Sequence, residues 1–275
     1  MPARRHFMPS AGFSSSESFW RANAPVTTKN RGVEGRITTD YHSSANCMDV
    51  IIACFVADPF DPPGHDRFGG GHLFLFDLGR YLVRMGDRVT YVTRLNSPSK
   101  PVHEAIGSRC SIHRLPVGPT EEISPAATGL LLEEIYESCA CTLRDAFSCK
   151  PVLHSHYWIA GEVSRRIAGE HRLVHVHSIL SLGRVKRETG EPAEAADALR
   201  DECELRVFRE AHHLVAVCPD EWRAFERLYP EVPPRTPSII PYGVDPNVFY
   251  RRPEPPDDFV RRAAGRFTQG DHDAP

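Results

Sequence analysis

VIIACFVADPFDPPGHDRFGGGHLFLFDLGRYLVRMGDRVTYVTR, residues 50–94, contains one full repeat of the pattern that sets the fold. The apolar run VIIACFVA, 50–57, reads as a strand, and a loop rich in Pro, Asp and Gly ends it. Three glycines, Gly69 to Gly71, then open a helix from His72 to about Met85, with Leu75, Leu78 and Leu82 along one face. Gly86 closes that helix, and RVTYVTR, 88–94, supplies the next strand. Strand, crossover helix and strand in this order are the signature of a parallel sheet.

The same alternation continues along the chain. SIHRLPV at 111–117, PVLHSH at 151–156, LVHVHS at 173–178, LVAV at 214–217 and SIIP at 238–241 read as strands. Between them, residues 127–147 carry Leu132, Ile135, Cys139 and Leu143 at helical spacing. Further helices are expected from Trp158, from about Ala193 to Glu210, and after Pro219, where acidic residues follow the proline. The expected fold is therefore α/β, a doubly wound, mostly parallel sheet of about seven strands, whose ligands bind outside the carboxyl ends of the strands.

Composition separates this domain from its flanks. Residues 1–46 are rich in Ser, Thr, Asn, Arg and Gly without an apolar period, so a disordered extension is expected there, and translation starting at Met48 would remove it. The domain is expected over 47–250, followed by a linker and polar tail at 251–275. A net charge of −3, with arginines scattered among acids, argues against a nucleic-acid partner. The eight cysteines form no CxxC pair, so reduced thiols are expected and no metal is assigned. With no apolar run near about 18 residues and no signal-like N-terminus, the expectation is a cytoplasmic protein without a transmembrane segment.

Several polar residues stand where the fold would place a ligand. The glycine triplet opens a helix, whose free N–H groups and dipole suit an anion, although a turn needed for close packing explains the glycines equally well. His154, His156 and Tyr157 end one strand, and His175, His177 and Ser178 end another, so two polar clusters can meet at one sheet edge. Arg184, Lys186 and Arg187 follow in LGRVKRE, suited either to a phosphorylated ligand or to a solvated basic loop. Arg200 and Glu204 lie one turn apart and read equally as an exposed ion pair. No dinucleotide fingerprint follows the first strand, which leaves little support for an NAD-dependent enzyme.

HSHYWIAG at 154–161, HVHS and LGRVKRE at 175–188, and SIIPYGVDPNVF at 238–249 together resemble the family 4 retaining GT-B glycosyltransferases, with the glycine triplet in matching order. Within that family the chain is similar to the sucrose-phosphate synthase group and to the D-inositol-3-phosphate glycosyltransferases. The resemblance implies a Rossmann-like N-terminal, acceptor-side domain of a two-domain enzyme. It places Gly70 and Gly71 near the donor diphosphate and the catalytic candidate His177 beside the transferred sugar and acceptor hydroxyl. Tyr157, Ser178 and Arg200 match positions that contact the acceptor phosphate, given two residues inserted after Ser178.

The departures from the pattern are specific. The inositol enzymes' asparagine falls near His72, their acceptor-phosphate lysine close to Pro125, and the family's Ala-Asp pair is Ala211 and His212 here. A sugar, sugar phosphate or aminocyclitol is thus left open as acceptor. The groups that hold the donor in this family belong to a second domain, and residues 251–275 carry no strand of one. The resemblance therefore implies retaining transfer from a nucleoside diphosphate sugar, a substrate rather than a cofactor, with a complementary donor-domain chain or a longer parent protein as partner. The alternative is a catalytically inactive relative that binds a sugar phosphate or acts as a scaffold.

Overall fold

The structure is a computed structural model that describes residues 47–61, 70–192 and 195–243. The expectations for 1–46, Gly69, 244–250 and 251–275 lie outside those residues. One compact unit runs to Pro241; of the second, which begins at Tyr242, only Tyr242 and Gly243 are described.

Seven strands form one sheet: β1 (Asp49–Ala53), β2 (Arg88–Arg94), β3 (His103–Gly107), β4 (Cys110–Leu115), β5 (Val152–His156), β6 (His175–Ser178) and β7 (His213–Val215). Their spatial order is β3-β4-β2-β1-β5-β6-β7. Every pairing is parallel except β3 with β4. The helices are α1 (Gly70–Met85), α2 (Pro125–Gly129), α3 (Leu132–Thr142), α4 (Trp158–His171), α5 (Gly183–Glu188), α6 (Asp197–Glu210) and α7 (Pro219–Leu228).

The strand number agrees with the sequence reading, but the set differs. β3 has one buried residue, Ile106, among five, so an edge strand paired on one side leaves little apolar signature. SIIP, in contrast, contributes a single bridge, Ile239 to Ala216, in place of a strand. The helix expected over 127–147 is broken into α2, α3 and a 3₁₀ turn at Ala146–Cys149. Ser124 caps α2, its Oγ accepting from the Ala127 N–H at 3.1 Å, and Pro125 takes the first helical position, where no N–H partner is needed. LGRVKRE is the short helix α5 and not a loop.

Alternation along β1 explains why its sequence is apolar throughout. Val50 and Ile52 face α1 with Leu75, Val89, Tyr91 and Ile112, while Ile51 and Ala53 join the opposite core with Ile135, Ile159 and Val163. A third cluster, including Phe208, Leu214, Trp222, Phe225 and Tyr229, closes the β7 side. The α1 face is keyed by one close approach: the buried Tyr91 hydroxyl donates to the Leu75 carbonyl at 3.0 Å. A Cβ on Gly79 would lie 1.8 Å from that hydroxyl oxygen.

Gly79→Ala should therefore destabilise the domain by about 1–3 kcal/mol through overpacking. In a Tyr91→Leu background the same change should be close to neutral, because the ring it strikes is gone. Urea denaturation of the double-mutant cycle measures this, and equal costs in both backgrounds would contradict the packing described.

Candidate functional site

The chain winds outward from β1 in both directions, first to β2 and β4, then back across to β5, β6 and β7. Loops leaving the carboxyl ends of β1 and β5 therefore diverge, and a crevice opens between them. α1 starts at this edge. Gly70 and Gly71 occupy its first turn, both exposed, and a Cβ on either would meet open space. Close packing within the described residues thus does not require them.

A cleft of about 190 Å³ lies beside that turn. Its walls are the loop Phe55–Asp58 after β1, His72 of α1, Thr93, Arg94 and Asn96 at the end of β2, Glu122 and Ile123 before α2, and Pro125 and Thr128 of α2. A larger groove, about 310 Å³, lies at the opposite edge around Asp49, Thr90, Ser111 and Cys149. The smaller cleft is the better site, because only the carboxyl edge combines diverging loops, a helix N-terminus and converging polar side chains.

The polar groups around the cleft are tied together. Asp58, with a fully buried side chain, accepts from Arg114 Nε at 2.7 Å and from Lys100 Nζ at 2.9 Å. Burial alone would raise the Asp58 carboxyl, yet Lys100 and Arg114 hold it below the usual carboxylate range. Lys100 also donates to Asp61 and to the Asn96 side-chain Oδ1. Arg94 donates to the carbonyls of Leu95, Pro119 and Glu121. Burial lowers His72 despite the nearby acids Asp61, Asp58 and Glu122, so its imidazole is neutral near pH 7.

Behind the crevice lies a layer of histidines at the ends of β5 and β6. Register pairs His156 with Ser178 and Ser155 with His177, so the two strands contribute alternately to both sheet faces. On one face, His154 Nε2 and Ser178 Oγ are 2.9 Å apart, and His156 stacks at 4.3 Å from His154 with Phe74 of α1 edge-on to it. On the other, Ser155 Oγ bridges His175 Nε2 at 2.7 Å and His177 Nδ1 at 2.8 Å. His177 is 1% exposed and packs against Phe208 of α6. Both ring nitrogens of His156, and Nδ1 of His175, are buried without a hydrogen-bond partner among the described residues.

The strand-end residue Tyr157 has φ 73° and ψ 156°, a region that L-residues rarely adopt, and its carbonyl nevertheless accepts the first α4 bond from Gly161. Its hydroxyl accepts from Arg200 Nη1 at 3.2 Å, and the guanidinium carbon lies 5.0 Å from its ring centre. The structure thus brings Tyr157 and Arg200 together across 43 residues of sequence. Ser178 stands at the end of β6, and Arg200 reaches the next loop through Ser181, whose carbonyl and Oγ accept from Nη2 at 3.0 and 3.2 Å.

Arg200 and Glu204 form a buried pair, 2.7 Å apart, not the exposed pair that helical spacing alone suggests. Glu204 also accepts from the Gly183 N–H at 3.1 Å and from the Tyr229 hydroxyl. Burial raises the Glu204 carboxyl against the pull of Arg200. Burial, the largest single influence, works to lower the Arg200 guanidinium, but the charge and hydrogen bond of Glu204 together with Tyr157 and Tyr229 raise it overall. Gly183 is required there, since a Cβ would come within 2.9 Å of Arg200 Nε. Ser181, Gly183 and Tyr229 escaped the sequence reading as site residues, and Glu204 entered it only through its i, i+4 spacing from Arg200.

Arg184 and Lys186, both offered by sequence as phosphate grips, have other partners. Arg184 donates to the Leu228 carbonyl at 2.5 Å and to Glu231 at 2.8 Å, with its guanidinium over the Tyr229 ring. Lys186 forms a surface pair with Glu191 at 3.2 Å. The structure does not bring either side chain into contact with Tyr157, Ser178 or His177.

Burial depresses the histidine layer, to about 4 for His154, to about 3 for His175, and well below 6.5 for His156 and His177. Unfolded histidines take up protons near about pH 6.5, whereas these stay neutral in the fold. Stability is therefore fully present above that pH and is lost as pH falls from about 6.5 toward the folded values, by up to about 1.4 kcal/mol per pH unit for each histidine. Chemical denaturation at pH 7.5 and 5.5 should show the loss, and a flat profile would contradict a neutral layer. Glu204→Ala, which leaves Arg200 buried without its counter-ion, should cost about 3–5 kcal/mol in the same measurement at pH 7.5; a loss below about 1 kcal/mol would contradict the buried pair.

Residues 69–243 match the glycosyl transferase 4-like domain. The D-inositol 3-phosphate glycosyltransferases of Streptosporangium roseum and Stackebrandtia nassauensis are each 30% identical, over 199 and 210 residues, covering 70% and 73% of this chain. The match covers 44% and 45% of those proteins, so the chain spans about half the length of the curated relatives it matches. Among solved structures, a sucrose-phosphate synthase from Thermosynechococcus elongatus superposes with a TM-score of 0.66 at 22% identity, over 79% of this chain and 52% of that one. A second sucrose-phosphate synthase chain from that organism gives a TM-score of 0.55 at 16% identity, over 81% of this chain and 98% of that one. Those two likenesses establish the Rossmann-like fold of a GT-B glycosyltransferase domain. The chain belongs to the glycosyl transferase 4-like domain family.

Proposed function

We propose that this domain supplies the acceptor side of a retaining glycosyl transfer from a nucleoside diphosphate sugar to a small hydroxylated or phosphorylated acceptor. The groups that bind the donor would come from a further domain or a complementary chain. The observation that carries this reading is that the open first turn of α1, whose Phe74 ring meets His156 edge-on, and the Tyr157–Arg200 contact stand at the same carboxyl edge of the sheet. Membership of a glycosyl transferase family supports it.

In this reading the bond between the sugar's anomeric carbon and the diphosphate oxygen breaks, the acceptor oxygen takes its place on the same face, and the acceptor's hydroxyl proton passes to the departing diphosphate oxygen. The departing diphosphate carries the developing charge. N–H groups of the first α1 turn, at Gly70 and Gly71, are suited to receive it, and the absence of side chains there permits close approach. Tyr157, Ser178 and Arg200 contact the acceptor. His177 has a positioning role: its neutral ring, fixed through Ser155, holds the end of β6 on which Ser178 stands.

Combining the chain with a separately produced donor-binding domain of a D-inositol 3-phosphate glycosyltransferase, and offering a panel of nucleoside diphosphate sugars and polyols, should release nucleoside diphosphate only when both proteins are present. Tyr157→Phe should lower that rate about 10-fold, the scale of one lost hydrogen bond to a charged group. Sugar binding without turnover by a correctly folded pair would favour an inactive binding relative. A correctly folded pair that shows no binding and no turnover would refute the proposal.

A further inference from the structure

Ser155 stands between two imidazoles. Its Oγ lies 2.7 Å from His175 Nε2 and 2.8 Å from His177 Nδ1, and all three residues are buried. A serine hydroxyl has one proton, so Ser155 can donate to only one of these nitrogens and must accept from the other. Burial holds His175 down to about 3 and His177 well below 6.5, so each ring is neutral near pH 7 and carries a single N–H. Which nitrogen carries that proton is decided by the hydrogen bonds around the two rings.

The proton positions follow from the far end of the chain of contacts. His175 Nδ1 is buried and has no hydrogen-bond partner among the described residues, so the ring leaves either a lone pair or an N–H unsatisfied there. An orphaned buried N–H is the rarer of the two in protein interiors. The Arg165 cation, whose charge acts on His175, works in the same sense, since a positive charge nearby favours a lone pair over an N–H. His175 therefore carries its proton on Nε2 and donates to Ser155 Oγ. Ser155 gives its own proton to His177 Nδ1, and His177 is left with its proton on Nε2.

We infer that Ser155 and His175 are positioning residues that fix His177 as a hydrogen-bond donor through Nε2. The packing holds the ring in that sense. The Phe208 ring centre lies 5.9 Å from that of His177, and a Cβ on Gly161 would come within 2.8 Å of His177 Cε1, so there is little room for the imidazole to turn over and exchange its nitrogens. The consequence for chemistry rests on the glycosyl-transfer reading above. An Nε2–H can hold a lone pair of a ligand oxygen, whether of a sugar hydroxyl or of a phosphate, but it cannot take the proton of an acceptor hydroxyl. In that reading His177 is no general base, and the acceptor's proton leaves with the diphosphate.

The test is the tautomer itself, read at pH 7.5 from long-range proton–nitrogen NMR correlations of the imidazole rings in the whole chain carrying isotope-labelled histidine. His175→Gln and His177→Gln assign the two rings by the signals each removes. The expected pattern is Nε2–H for both rings. Ser155→Ala should shift His177 from the single Nε2–H tautomer to a mixture with Nδ1–H, a change that a merely structural role for Ser155 would not produce. A proton on Nδ1 of either ring in the unaltered chain, or a charged ring, would overturn the inference. A His177 pattern unchanged by Ser155→Ala would overturn the role of Ser155. If Ser155→Ala does not fold, the unaltered chain decides alone, because the tautomer of each ring is specified. No part of the measurement needs turnover, so absent transfer activity would overturn the proposed function and leave this assignment standing.

Discussion

Everything at the site follows from the reversal of strand order at β1. A parallel strand needs a crossover to reach its neighbour, and the chain leaves β1 toward β2 but returns to β5 on the other side. The carboxyl ends of those two strands therefore have no common covering loop. A crevice results from topology alone, and the residues that follow β1 and β5 line it whatever their identity. At this carboxyl edge the polar residues form two tiers, one over the ends of β1 and β2 and one over the ends of β5 and β6.

The outer tier is the cleft of His72, Thr93, Asn96 and Glu122, braced by Asp58 with Lys100 and Arg114. The inner tier is the histidine layer and the Tyr157–Arg200–Glu204 network. Burying so many polar groups is unfavourable unless each is satisfied, and most of these are. Two departures stand out: His156 has neither ring nitrogen hydrogen-bonded among the described residues, and Tyr157 holds a backbone conformation that costs about 1–3 kcal/mol. Both lie at the end of β5, at the carboxyl edge of the sheet.

The sheet was legible in the sequence because buried parallel strands are apolar on both faces, as in β1, and their carboxyl ends were marked by the histidine clusters. What escaped was local or long-range. β3 is an edge strand with one buried side chain, and α5 is too short to show a helical period. The helix over 127–147 looked continuous because apolar spacing survives a break between α2 and α3. At the site, the convergence of the two polar strand ends could be read from register. The engagement of Arg200 by Glu204, and of Arg184 by Glu231 and Leu228, could not, because those contacts depend on how α6 and α7 pack and not on spacing.

The central claim is that ligand chemistry occurs at the carboxyl edge, between β1 and β5. Backbone amide shift mapping on isotope-labelled chain, titrated with a nucleoside diphosphate sugar and a polyol together, tests it most directly. The account predicts shifts confined to Gly70–His72, Thr93–Asn96, Tyr157 and Ser178. Shifts centred instead on the larger groove at Thr90, Ser111 and Cys149, at the opposite edge of the sheet, would contradict it.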